Sequence, residues 1–218
     1  LRVLLYDWAH KTVSSVTQSP IDIITGPNCC REQKTEWYRD ALLKCFADIP
    51  VHERMEIAAI GVSGHQHSLI AMSNDVPVYN VKLWCDATTS NECSELTNAA
   101  GGEDAIIQEI NNLMLPGYTA PKLLWLKKHH RQAFDSIEKI FLPHDYINYL
   151  LTGRYSMERG DASGTALFSP NTNAWSKRIC DLIDPTLMSK LPPVIQNHQE
   201  LFGTVTKSAA KELGIRAH

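Results

Sequence analysis

The sequence predicts a mixed α/β fold. Three observations carry that expectation: short extended segments open the chain, an amphipathic helix follows, and a new apolar segment leads away from it. "RVLLYDW" and "TVSSVT" are rich in β-branched and aromatic residues and are separated by "AHK", which predicts a hairpin. "IDIIT" is a candidate third strand, closed by the turn-like "GPNCC". In "REQKTEWYRDALLKCFADIP" the residues Tyr38, Ala41, Leu42, Cys45, Phe46 and Ile49 recur at helical spacing on one face, and Pro50 stops the run. "EIAAIGVS" then has the pattern of a strand, so the opening elements predict a mixed sheet with flanking helices.

The middle of the chain is more helical. "NECSELTNAA" predicts a helix capped by Gly101 and Gly102. "PKLLWLKKHH" places Pro121 at a first helical position. "PHDYINYLLTG" predicts a helix from Pro143 to a stop at Gly153. "WSKRICDLID" and "TKSAAKELG" are two further helices. No repeat, low-complexity tract or flexible linker interrupts the series.

The bulk properties exclude several classes. The 218 residues suffice for one large domain or two small ones, and 44% hydrophobic with 21% charged residues is ordinary for a globular protein. A net charge of -3 and a pI near 6.3 give no basis for a nucleic-acid partner. No apolar run approaches the roughly 20 residues that span a bilayer, so no membrane partner is expected. The six cysteines form no CxxC pair, and without a secretory signal they predict reduced thiols in a cytoplasmic protein. The opening "LRVLLYDWAH" has no initiating Met, from which an earlier start of the natural chain is expected.

Four stretches stand out as candidate sites. "GVSGHQHSLI", Gly61 to Ile70, sets His65, Gln66 and His67 in a glycine-punctuated knot between apolar runs, with the outline of strand, loop, strand. On a strand His65 and His67 would share a side and could pair on a metal, as in a metal-dependent hydrolase. One packed and one solvated histidine is the plainer alternative, and a polar ligand site is the favoured one. "VKLWCDATTSNEC" offers Trp84, whose face suits the CH groups of a sugar, and Asp86, whose carboxylate suits its hydroxyls. The competing roles are Trp84 in the core and Asp86 as a helix cap. "ERGDASGT", Glu158 to Thr165, is a small-residue loop that a ligand could approach closely, or a simple turn. "KKHHR" at 127–131 suits a solvated helix C-terminus better than a phosphate site. Neither GxxxxGK[ST] nor GxGxxG is present.

The order of these stretches is more specific than any one of them. "IGVSGHQHSLI", "VKLWCDATTSNEC", "LMLPGYTAPKLLWLKKH" and "IFLPHDYINYLLTGRYSMERGDASGTALFSPNTNAWS" together resemble the first lobe of the FGGY carbohydrate kinases, and within that family its bacterial D-xylulose kinases. The resemblance runs from about Ile57 onward and less clearly from Leu1. It implies a ribonuclease H-like, actin-like fold, with 1–218 as the N-terminal sugar-binding lobe and a homodimer left open. It implies ATP-dependent phosphorylation of a ketopentose, most like D-xylulose to D-xylulose 5-phosphate. Gln66 and His67 match the family's ketose-contacting positions, and Trp84 and Asp86 would border that shelf or brace it. ATP and magnesium, and the general-base Asp, are expected mainly from segments outside these residues, including a second lobe and the start of a first phosphate-approaching hairpin. This piece alone is therefore expected to be inactive. Ser68 stands where the family usually has Gly, and Thr88-Thr89 where many members have an Arg. A non-catalytic sugar-binding or regulatory module on the same fold is the alternative from another functional class.

Overall fold

A computed structural model describes residues 1–197 and 200–216. The chain opens with the predicted hairpin, in which β1 (Arg2–Asp7) pairs antiparallel with β2 (Thr12–Gln18). β3 (Ile24–Gly26) and β4 (Cys30–Gln33) form a second hairpin, turned by Asn28 and Cys29 at left-handed φ of 56° and 60°. β4 has no sequence signal, because "CREQ" lacks β-branched and aromatic residues; its pairing partners hold it extended. Helix α1 (Glu36–Ala47) follows, and Tyr38, Ala41, Leu42, Cys45, Phe46 and Ile49 are all buried, as the spacing predicts. Pro50 ends that run and leads into the single turn α2 (Val51–Arg54).

The strand expected at "EIAAIGVS" is not formed. Residues 58–64 make no backbone hydrogen bond among the described residues. A cavity of about 290 Å³, lined by Leu1, Val3 and Leu5 on one side and Ile60 and Val62 on the other, separates them from β1. A strand is defined by its neighbour, and here the neighbour stands a cavity away.

β5 (Ile70–Ser73) is the centre of the fold. It turns back through Asn74 and Asp75 into β6 (Val76–Pro77), and β7 (Val81–Lys82) then pairs with β4. Leu69 donates its N–H to the Lys82 carbonyl at 2.9 Å, which ties β5 to β7. Helices α3 (Ser90–Ala99), α4 (Glu103–Ile110), α5 (Thr119–His129) and α6 (Arg131–Ser136) come next, and β8 (Lys139–Phe141) returns antiparallel to β5. α5 starts at Thr119, so Pro121 is third in the helix rather than first. α7 (Pro143–Thr152) has the predicted bounds, with Gly153 in the left-handed cap at φ 69°.

After β9 (Met157–Glu158), the "ERGDASGT" stretch is mostly a short helix, α8 (Arg159–Ser163), rather than a loop. The Glu158 carboxylate caps it by accepting from the Gly160 and Asp161 N–H groups, a helix start that small residues conceal in a sequence. β10 (Phe168–Ser169) and β11 (Ala174–Trp175) make a small hairpin, and α9 (Lys177–Ile183) is capped by Ser176. β12 (Val194–Ile195) pairs with β9, the parallel pair among the described strands, and α10 (Lys207–Leu213) is capped by Thr206. The expected mixed sheet is thus divided into small sheets packed among helices.

Two hydrophobic cores lie on opposite faces of β5. Successive side chains of a strand point to opposite sides, so Ile70 and Met72 pack with α1, α7 and α10, while Leu69 and Ala71 pack with α3 to α6 and α9. The residues just before β5 are therefore held from both sides.

Candidate functional site

The loop from Gly64 to Ser68 enters that double-sided core and is pinned at each polar residue. Ser68 is fully buried and joins two loops: the Trp84 N–H donates to its Oγ at 2.9 Å, and its hydroxyl lies 2.8 Å from His65 Nδ1. The other ring nitrogen of His65 is 3.3 Å from the Tyr38 hydroxyl, which itself donates to Gln33 Oε1 at 2.6 Å. One tautomer satisfies the series: Ser68 donates to Nδ1, and Nε2–H donates to Tyr38. Burial holds the His65 pKa below its usual value, so the ring is neutral at pH 7.

His67 is held differently. Its φ of 68° is left-handed, an unfavourable conformation for a residue with a side chain. Its carbonyl accepts from Thr119 Oγ1 at 3.1 Å and from Lys122 Nζ at 2.8 Å, both on the first turns of α5. The ring stacks on Tyr118, with centroids 4.2 Å apart and 22° between planes. Nδ1 is hydrogen-bonded to the Gly164 carbonyl, which can only accept, so Nδ1 carries the proton. Burial also lowers this pKa, leaving a neutral imidazole whose Nε2 lone pair has no partner among the described residues. The two histidines thus take separate partners and do not converge as a metal pair.

Gln66 is exposed and donates to Asp161 Oδ1 at 3.3 Å. The other Asp161 oxygen is 2.7 Å from His144 Nδ1. Burial alone would lower the His144 pKa, but the Asp161 hydrogen bond and the charges of Asp145 and Asp161 outweigh it, and the net shift is upward. The site thus has two neutral histidines and a third, more basic one.

Trp84 is 55% exposed, so it is not a core residue. Asp86 is 1% exposed and both its oxygens are engaged: one accepts from the Arg31 N–H at 2.8 Å and from Lys82 Nζ at 3.3 Å, the other from the Thr88 N–H at 3.1 Å. Lys82 also reaches Glu32 Oε1 at 3.2 Å and lies 3.9 Å from the Trp125 ring centroid. Asp86 is not a helix cap, since α3 starts at Ser90 after Thr89.

Asp161 and Gly164 fall within the candidate stretch Glu158 to Thr165, whereas Tyr118, Thr119, Lys122 and His144 carry no site signal of their own in the sequence. They sit 50 to 100 residues from the loop they support, and only the fold unites them. The available signal was the quoted "PGYTAPK" and "GDASG" segments.

Two clusters among the described residues bring three ligand-type atoms together: Cys30, Glu32 and Asp86, and His144, Asp145 and Asp161. Neither suits magnesium. The Lys82 ammonium fills the first; in the second, His144 and Asp145 lie on the first turn of α7, whose positive end favours carboxylates over another cation, and Asp161 of α8 is already bonded to His144. No catalytic step through a metal follows from these residues.

The profile of the FGGY family of carbohydrate kinases, N-terminal domain, matches residues 1–218. The chain belongs to the FGGY family of carbohydrate kinases. It is 33% identical to the xylulose kinase of Haemophilus influenzae over 98% of this chain and 45% of that protein. Among solved structures, the xyloylose kinase of Brucella ovis matches with a TM-score of 0.89 at 24% identity, covering 99% of this chain and 44% of that one. The Plasmodium falciparum glycerol kinase with ADP matches with a TM-score of 0.87 at 19% identity, covering 97% and 44%. The shared fold is the actin-like, ribonuclease H-like one that the motif series implied. The chain spans less than half the length of these FGGY kinases. No helix among the described residues is long and apolar enough to cross a membrane.

Proposed function

We propose that residues 1–218 form the N-terminal, sugar-binding lobe of an ATP-dependent ketopentose kinase that converts D-xylulose to D-xylulose 5-phosphate. The observation that carries this is the Nε2 of His67, a lone pair with no partner among the described residues, in a loop held by several contacts, and able to accept from a sugar hydroxyl. Gln66, next to it in the chain, and Trp84, whose N–H bonds Ser68 of the same loop, are both exposed and supply a polar contact and an apolar face. Asp86 braces this shelf from behind by holding the Arg31 and Thr88 backbone in place.

Phosphoryl transfer to an alcohol is mostly a matter of positioning the hydroxyl in line with the phosphate. This lobe orients the sugar; ATP, magnesium and the carboxylate that takes the hydroxyl proton belong to the rest of the protein. The reading places the protein in the cytoplasm, where its nucleotide is found. The xylulose kinase name of the Haemophilus relative supports D-xylulose over other acceptors.

The test is a coupled assay of ADP release by the full-length protein with D-xylulose, D-ribulose and glycerol. A kcat/KM for D-xylulose well above the other two supports the reading. Preference for another acceptor overturns the substrate, and sugar binding without ADP release would favour a non-catalytic module.

A further inference from the structure

We propose that Lys122 is a positioning residue of the sugar site, acting through the backbone of His67 rather than by touching the sugar. This inference rests on the sugar-kinase reading above, which gives His67 its role.

Lys122 lies in α5 with no exposed surface, so its ammonium cannot meet a ligand. Its Nζ donates to two carbonyls, those of His67 and Gly117. Each belongs to a different loop of the shelf. The His67 carbonyl fixes the left-handed residue that carries the free imidazole nitrogen. The Gly117 carbonyl fixes the segment that runs against Trp84, where an added Cβ would collide with the Trp84 carbonyl. One side chain thereby holds the histidine and the tryptophan of the shelf in register.

Thr119 adds an independent donor to the same His67 carbonyl. Two donors from one helix on one strained residue over-determine its conformation, the condition under which a left-handed side-chain residue persists. The lysine is also costly to keep. Burial pulls its pKa down to about 7 even though Asp86 opposes the shift. A methionine would fill the space without that penalty, so the useful property of this side chain is the pair of hydrogen bonds.

The experiment uses the full-length protein with three variants, Lys122→Met, Thr119→Val and Thr119→Ser. Two readouts are taken: KM for D-xylulose and for ATP, and the ring ¹⁵N shifts of His67. Lys122→Met and Thr119→Val are expected to raise the sugar KM by about tenfold with the ATP KM within about twofold, and Thr119→Ser to restore the wild-type value. The ¹⁵N shifts should move from the single Nδ1–H tautomer of the wild type toward a mixture. If Lys122→Met fails to fold, Thr119→Val decides. Folded variants with an unchanged sugar KM and unchanged ring shifts overturn the proposal and leave Lys122 a packing residue. If the wild type phosphorylates none of the sugars, the kinase reading fails, while the ring shifts still report whether the clamp sets the His67 geometry.

Discussion

The Nδ1 of His67 is hydrogen-bonded to the carbonyl oxygen of Gly164, 97 residues further along the chain. That contact decides which ring nitrogen is left unbonded and with what chemistry. A carbonyl cannot donate, so Nδ1–H is spent on the protein and Nε2 is left as an acceptor. His67→Ala should lower kcat/KM for the sugar by about ten- to a hundredfold, equivalent to about 1–3 kcal/mol, with ATP affinity unchanged. Steady-state kinetics on the full-length protein check this, and equal sugar kinetics in mutant and wild type would remove His67 from the site.

Gly164 has ordinary helical backbone angles, so alanine there is strained only by its neighbour: the added Cβ would lie 3.1 Å from two atoms of the His67 ring. Gly164→Ala should therefore displace the ring more than it destabilises the fold. A raised sugar KM with a melting temperature within a few degrees of wild type is expected. A large loss of stability at unchanged KM would show that the ring is not the part that yields.

The histidines of the site should titrate on opposite sides of 6.5. Burial lowers His65 and His67, whereas the Asp161 contact and neighbouring carboxylates carry His144 upward. For the lowered pair the unfolded chain binds protons first, so stability falls as pH drops below 6.5 through their folded values. For His144 the sign reverses: its contribution is complete below 6.5 and is lost as pH rises through its folded value. Protonating His67 also removes the Nε2 lone pair, so sugar affinity should decline on the acid side. A ring-proton NMR titration tests the order, and a His144 that titrates below His67 would contradict it.

Lys82 is fully buried between Glu32 and Asp86 and under the Trp125 ring. Lys82→Met leaves two buried carboxylates without their cation and should cost about 3–5 kcal/mol. Urea unfolding measures it. A loss below about 1 kcal/mol would mean that the two acids are compensated from elsewhere.

Much of the fold is legible in local pattern. The face of α1 from Tyr38 to Ile49, the hairpin of β1 and β2, and the bounds of α7 at Pro143 and Gly153 all follow from short-range spacing and capping. The family is legible too, because its motifs recur in order along the chain. Two of the differences, both in strands, share a cause. "EIAAIGVS" has the composition of a strand but has no adjacent edge to pair with among the described residues, and "CREQ" lacks the composition yet is held by two neighbours. Pairing is a property of partners, which local sequence does not carry.

The site divides along the same line. Sequence alone determined that Gln66, His67, Trp84 and Asp86 lie in two polar segments between apolar runs. Only the tertiary structure decided which of their atoms are buried, exposed or already bonded. Burial took Asp86 out of reach, exposure left Trp84 available, and contacts from Thr119, Lys122 and Gly164 set the backbone and tautomer of His67. Side-chain chemistry is written in residue type, but which atom is free to act depends on which neighbours have already bonded the others.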